Sequence, residues 1–337
     1  MKTFSKINEN FFTLLLIILL SIIAAFRPEY LGDTLTYKQN FYSIFTEYEA
    51  NYEPVFKYLS RSIYLIYPNS FFYFFCLAFI FNYYWFKSIL LIRSHFGFNF
   101  YSFLILSLFL TICSSWYFSA VTNGLRQGLS LVFVYYGIIQ ILIIRNKIRA
   151  IIFILLSVLT HYSSFLIIPF IIFLFFDLRK LKAIFLLIAL FYPLGLNEKI
   201  VEIISSVTGI NIYESVKNYL ENTNEQRWVG FQLNFYVYSI FWFILFYFIK
   251  INEKMYDILK IYCILLMVYF TFGFGAFSNR FGFIAWLFLP IIQSAFVYNF
   301  LMVYLKNRNL VYLVYLFLFF NGIISFLFLY DFFEDLM

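Results

Sequence analysis

The run RNKIRAIIFILLSVLTHYSSFLIIPFIIFLFFDLRKLK, residues 145–182, decides how this chain is to be read. An apolar stretch from Ala150 to Phe176 stands between two basic clusters, Arg145-Asn146-Lys147-Ile148-Arg149 and Arg179-Lys180-Leu181-Lys182. Lys and Arg gather on the cytoplasmic flank of membrane segments, so both clusters want the same side and the chain must enter and return. Two full crossings need about 40 residues, and this stretch is shorter. The spacing therefore predicts a pair of short helices, 150 to about 160 and about 164 to 176, meeting at Thr160-His161-Tyr162-Ser163-Ser164. Twelve helical residues rise roughly 18 Å, which places His161 beyond the midplane and below the outer surface. Broken backbone at that depth is tolerated only against protein or water. A single long crossing is the rival reading, and it strands the second basic cluster on the wrong side.

The rest of the chain agrees with a membrane solvent. Of 337 residues 64% are hydrophobic and 12% charged, more apolar surface than a soluble domain hides, and the apolar residues come in blocks. Reading those blocks against charged punctuation gives helices near 11–26, 70–92, 100–118, 123–144, 183–196, 231–249, 259–276, 281–304 and 310–330. With the pair at 150–176 this is an all-α polytopic membrane protein of about 11 transmembrane segments, read as a single domain over 1–337. Phe26-Arg27-Pro28 closes the first run where a signal peptidase would want small side chains, so that run is expected to stay as a helix. With the N-terminus cytoplasmic and the C-terminus outside, the inner segments carry 15 of the 24 Lys and Arg but only 4 of the 17 acidic residues. The net charge of +7 follows from this topology and calls for no nucleic acid. The outer side owns the two longest loops, 27–69 and 197–230, with amphipathic runs at Tyr37–Phe45 and Val55–Ile66 that would lie along the membrane surface. Cys76, Cys113 and Cys263 sit inside apolar blocks and read as unpaired thiols, with no disulfide and no metal site.

Charge beside hydrocarbon costs roughly 2.5–3.5 kcal/mol on insertion scales, so charged residues at the edges of these blocks are the candidates for function. On the outer side they are Arg27, Asp33, Glu53 and Arg61 from the first loop, Arg126 at the head of the 123–144 helix, His161 at the break, and Arg280 between two helices. Arginines suit a diphosphate, because guanidinium forks bind phosphate oxygens bidentately and keep their charge. A carboxylate or histidine beside them could deprotonate an attacking hydroxyl. Each has a plainer reading: Arg27 as a helix-end anchor, Arg61 as a snorkelling side chain, His161 as a hydrogen-bonded core histidine. Walker A, His-Glu-x-x-His and Gly-x-Ser-x-Gly patterns are all absent from the sequence.

Phe26-Arg27 with Gly32-Asp33 and Tyr37, then Glu53-Pro54-Val55-Phe56, Arg126 opening a helix, His161-Tyr162-Ser163-Ser164 with Pro169, and Asn279-Arg280-Phe281 together resemble the EpsG-like family of Wzy-type polysaccharide polymerases. One departure is Val55, where the family more often has Gly after Glu-Pro. The resemblance implies a glycosyltransferase of the bacterial inner membrane that polymerises lipid-linked repeat units of O-antigen, capsule or exopolysaccharide at the outer face. Its donor and acceptor would be undecaprenyl-diphosphate-linked oligosaccharides, with membrane lipids and a chain-length regulator as further partners and no cofactor. On that reading Arg27, Arg126 and Arg280 bind the diphosphate, and Asp33, His161 or Glu53 is the general base. The residues leave the choice among the three open. Alternatives are an O-antigen ligase, a glycosyltransferase using a lipid-monophosphate sugar, and, from another class, a flippase for the lipid-linked unit.

Overall fold

Hydrocarbon offers the backbone no hydrogen-bond partners, so each apolar block closes its bonds within a helix, and local capping decides where each helix stops. The computed structural model describes residues 2–209, 211–217, 230–248, 253–275 and 278–304, and its regular structure there is helical throughout. The chain divides into two compact units, one containing Met1–Phe165 and the other Leu166–Phe300.

In the first unit α1 (Lys2–Ala25) ends just before Arg27-Pro28, where proline's ring blocks further helix. The outer loop 27–69 folds into α2 (Thr34–Tyr42) and α3 (Pro54–Ile66), which take in the first six residues of the run Tyr37–Phe45 and the whole of Val55–Ile66. Pro54 sits at the start of α3, where its missing N–H costs nothing. The 27-residue α4 (Ser70–Phe96) is capped by the Asn69 side chain, which accepts from the Phe72 N–H, and is stopped by Gly97 at φ +72°. The expected single helix at 100–118 is instead two, α5 (Phe100–Ile112) and α6 (Ser115–Thr122), bent by 73°. The cause is local: Ser114 leaves the helical conformation and its hydroxyl accepts from the Tyr117 N–H to start α6. Next, α7 (Leu125–Ile139) runs into a π-helical turn, Gln140–Ile144, closed by Arg145 at φ +61°. Asn146 then caps α8 (Lys147–Thr160).

Packing in this unit is a matter of small residues and close backbones, because lipid tails are as apolar as leucine and hydrophobicity alone does not hold helices together. A Cβ on Gly128 would lie 2.5 Å from the Ala120 carbonyl oxygen, so α6 and α7 cross at a distance only glycine permits. A Cβ on Gly137 would lie 3.1 Å from the Ile154 side chain and 3.3 Å from the Ala150 carbonyl oxygen, across the α7–α8 contact. The Ser130 hydroxyl bridges the same pair by donating to the Ser157 carbonyl at 2.9 Å. The two helices form an antiparallel hairpin, which sets the first turn of α7 beside the last turn of α8. Arg126 and His161 thereby share one end of the hairpin.

In the second unit, 3₁₀ turns on either side of α9 (Ile168–Ile171) carry the chain to α10 (Leu178–Phe191), whose Asp177 cap accepts from the Lys180 N–H. The helix expected at 183–196 thus starts earlier and ends before Gly195. Gly195, at φ +66°, turns the chain by 101° into α11 (Leu196–Thr208) within the expected loop 197–230. The chain continues through α12 (Ile212–Lys217), α13 (Leu233–Phe248), α14 (Lys254–Phe272), α15 (Ser278–Trp286) and α16 (Leu289–Tyr304). The centre of this unit is α14, buried without a break from Ile261 to Phe270 and packed on α10, α11, α13 and α15. Trp286 donates its indole N–H to Ser239 at 2.8 Å, satisfying the one polar atom a buried tryptophan carries.

Five helices among the described residues are long and apolar enough to cross a membrane, and seven spans result if each bent pair is one. The expected total of about eleven adds shorter helices such as α8 and α13 and a segment at 310–330 that lies outside the described residues.

Candidate active site

Glu53 is the residue around which the first unit's charges gather. It is the residue before α3, its side chain only 7% exposed, and both of its oxygens are engaged. Oε2 accepts from Arg126 Nη1 at 2.9 Å. Oε1 pairs with His161 Nδ1 at 2.8 Å and accepts from the Tyr162 N–H at 3.4 Å. Burial pushes the Glu53 carboxyl up, but the His161 hydrogen bond and the Arg126 charge outweigh it and hold the group at about 2. Glu53 is therefore an ionised carboxylate at any physiological pH and a feeble base.

That ionisation fixes the histidine. A carboxylate only accepts, so His161 must donate from Nδ1, and in the neutral ring the lone pair then lies on Nε2. Nε2 has no hydrogen-bond partner among the described residues, and the side chain is 24% exposed. The backbone supports the placement: Thr160 ends α8 and His161 is extended at φ −156°, ψ 117°, so the ring projects off the helix end.

Arg126 lies in the first turn of α7, where the helix dipole disfavours a cation, and it is held there by three neighbours. These are the Glu53 carboxylate, the face of Tyr52 at 4.8 Å from guanidinium carbon to ring centroid, and the Tyr37 phenol, which lies within electrostatic reach. Its Nε is buried without a partner. Tyr52 is fixed in turn by Asn40, which donates to its hydroxyl at 2.6 Å.

The other candidates are placed differently. Arg27 closes two helix ends, donating from Nε to the Ala24 carbonyl at 2.9 Å and from Nη1 to the Thr122 carbonyl at 2.7 Å, and lies over the Phe74 ring at 4.2 Å. Burial pulls its guanidinium down to about 10, still charged at neutral pH, and its Nη2 is buried and unpartnered. Asp33 is exposed; its backbone N–H donates to the Asn123 side chain at 3.0 Å, and Gly32 beside it, at φ +50°, leaves no room for a Cβ against Asn123. Arg61 forms a two-pronged pair with Glu49, at 2.9 and 2.6 Å, away from the Glu53 cluster's partners. Arg280 is exposed in the first turn of α15, in the second unit.

The fold thus brings Glu53, Arg126 and His161 together and builds Arg27 into the neighbouring helix ends. The sequence marks neither Tyr52 nor Asn123 as a site residue. Tyr52 directly precedes Glu53, yet in a chain with 30 tyrosines nothing marks it out. Val55 falls inside the first turn of α3 with an ordinary φ, so no glycine is needed there.

A family model matches residues 10–334, described as the EpsG family. The chain belongs to the EpsG family. No curated protein and no solved structure matches it. EpsG membership makes this a membrane protein of the polysaccharide-polymerase type, in keeping with its multi-pass helical fold.

Proposed function

We propose that the protein polymerises lipid-linked oligosaccharide repeat units, moving glycan from undecaprenyl diphosphate to the nonreducing end of another carrier-linked unit at the outer face of the inner membrane. The observation that carries this is the carboxylate of Glu53 shared between Arg126 and Nδ1 of His161. It joins a tautomer-fixed base to a fixed cation, the two groups an acyl-free glycosyl transfer from a diphosphate needs.

In this reading His161 Nε2 removes the proton from the acceptor hydroxyl as its oxygen bonds to the donor's anomeric carbon. The anomeric C–O bond breaks, its electron pair leaving with the lipid diphosphate, and the configuration inverts because one displacement occurs. Glu53 is the positioning residue, stabilising the imidazolium that forms as a buried carboxylate does for the histidine of a hydrolytic triad. Arg126 neutralises the leaving diphosphate, with Arg27 through its unpartnered Nη2 as a further cation. Asp33 takes the role of a polar group at the rim rather than the base. The arginines supply the positive charge, so the reaction needs no metal ion, and a chain-length regulator would act on the product.

The test is purified protein with its lipid-linked repeat unit, with and without chelator, read as a product ladder on a gel. A ladder that survives chelation and disappears in Arg126→Ala at unchanged protein level is expected. Wild-type ladders from Arg126→Ala, transfer only to lipid A core, or transport of labelled substrate without a new linkage would each overturn it.

A further inference from the structure

The motif His161-Tyr162-Ser163-Ser164 has so far contributed only its histidine. Of its two serines, Ser163 is half-buried and Ser164 is 2% exposed. A hydroxyl so placed needs a partner, and it finds one on α7. Ser164 Oγ is hydrogen-bonded to Ser130 Oγ, in the second turn of that helix and itself fully buried. Ser130 has one proton, which it gives to the Ser157 carbonyl at 2.9 Å, a group that can only accept. Ser164 is therefore the donor within the serine pair. The direction of the whole series is fixed, from Ser164 to Ser130 to the Ser157 carbonyl.

Both ends of this series hold His161. The Ser157 carbonyl also accepts the His161 N–H at 2.9 Å, the bond that closes α8. The His161 carbonyl accepts the Ser164 N–H at 3.1 Å. His161 is thus held before and after its Cα, and both holds lead to Ser130. Ser130 stands four residues after Arg126, one turn further along the same face of α7. One hydroxyl on the helix that carries the cation fixes the backbone of the histidine, while the Glu53 carboxylate fixes its ring.

The hairpin itself is held without Ser164, by the close approach at Gly137 and the bond from Ser130 to Ser157. What Ser164 adds is a hold on the segment past the helix end. There His161 has left the helical conformation, at φ −156°, and 3₁₀ turns begin at Tyr162.

We propose that Ser164 is a positioning residue for the base: its hydrogen bond to Ser130 sets where His161 Nε2 stands relative to Arg126. This rests on the reading of His161 as the general base. Ser164 touches no substrate and moves no proton. It fixes the place at which the acceptor hydroxyl is deprotonated relative to the cation that receives the leaving group. Such placement enters the rate, since a reacting group displaced by about 1 Å slows a reaction by up to roughly a hundredfold.

The experiment measures initial rates of glycan extension by the full-length protein in nanodiscs, per folded molecule, over a range of lipid-linked repeat unit. The variants are Ser164→Ala, His161→Ala and the two combined. Ser164→Ala should lower kcat by about tenfold at unchanged KM. It should not slow His161→Ala further, because a residue that acts only through the base then has nothing to position. Ser130→Ala removes the acceptor and should show the same loss and the same dependence on His161, which keeps the test open if Ser164→Ala folds poorly. Wild-type kcat in Ser164→Ala beside an impaired His161→Ala overturns the role of Ser164 alone. So does a raised KM at unchanged kcat, or an equal loss with and without His161, which marks a serine that only supports the fold. Wild-type kcat in His161→Ala overturns the reading of the base itself.

Discussion

Two polar clusters in the first unit invite comparison. In one, Ser21, Asn82 and Tyr117 meet where α1, α4 and α6 pack: the Asn82 amide donates to Ser21 at 3.1 Å and its oxygen accepts from Tyr117 at 2.6 Å. All three are buried and neutral, and the Ser21 hydroxyl donates a hydrogen bond to the Ile17 carbonyl at 2.6 Å. In the other, Glu53, Arg126 and His161 carry charge, and donors or acceptors remain: Nε of Arg126, Nε2 of His161, and nearby Nη2 of Arg27. A closed neutral network fixes which helices touch and asks nothing of a ligand. An ionised cluster with capacity to spare is costly for folding, and such residues inside membrane proteins mark functional sites. Burial alone does not separate the two clusters. Unused hydrogen-bonding capacity does.

The largest effect that would break the contrast lies in His161. Removal of a general base costs ~10²–10⁴ in rate. His161→Ala should lower the polymerisation rate by at least about a hundredfold while the amount of folded protein in the membrane stays at wild-type level. A variant that polymerises normally would place His161 with the structural polar groups. The opposite outcome is expected on the other side of the comparison. Asn82→Ala should lower the melting free energy in detergent by about 1 kcal/mol, within the range of interhelical hydrogen bonds in membranes, and leave the rate per folded molecule unchanged. A loss of rate without loss of stability would move Asn82 into the site.

The smallest effect sharpens the electrostatics. The Glu53 carboxyl is held at about 2 against an ordinary 4.5. A folded-state value lowered in this way stabilises the fold fully above the ordinary value, and the contribution is lost as pH falls from 4.5 toward 2. Wild type should therefore exceed Glu53→Gln in melting temperature at pH 6, and the gap should close across that acidic window. A gap independent of pH would mean that the Glu53 charge adds nothing to its pairing with Arg126 and His161.

Much of this architecture could be read before any coordinates. The amphipathic run at Val55–Ile66 lies within α3, that at Tyr37–Phe45 lies in α2 as far as Tyr42, and the break expected at Thr160–Ser164 falls at His161. Both rest on periodicity and composition, which act over a few residues. The bend at Ser114 escaped notice because its signal is a single capping serine inside an apolar run. The turn at Gly195 escaped because one positive φ redirects a helix without changing its hydropathy. Within the site, Arg126, His161 and Glu53 stood out as charges in apolar surroundings, but their pairing did not. Arg61 resembled them in sequence and found Glu49 instead.

What the sequence determined by itself is the helical membrane fold, since hydrocarbon forces each apolar block to satisfy its own backbone, and the segregation of basic residues along it. What the tertiary structure decided is that a carboxylate 108 residues before the histidine and 73 before the arginine joins them. That choice depends on the α7–α8 hairpin, whose close approach at Gly137 and Ser130 sets two helix ends level. It depends equally on α3 starting at Pro54, which delivers Glu53 to those ends. Hydropathy acts along the chain and is legible there. Partner choice among charges is a matter of ångströms between distant segments, and only packing sets those.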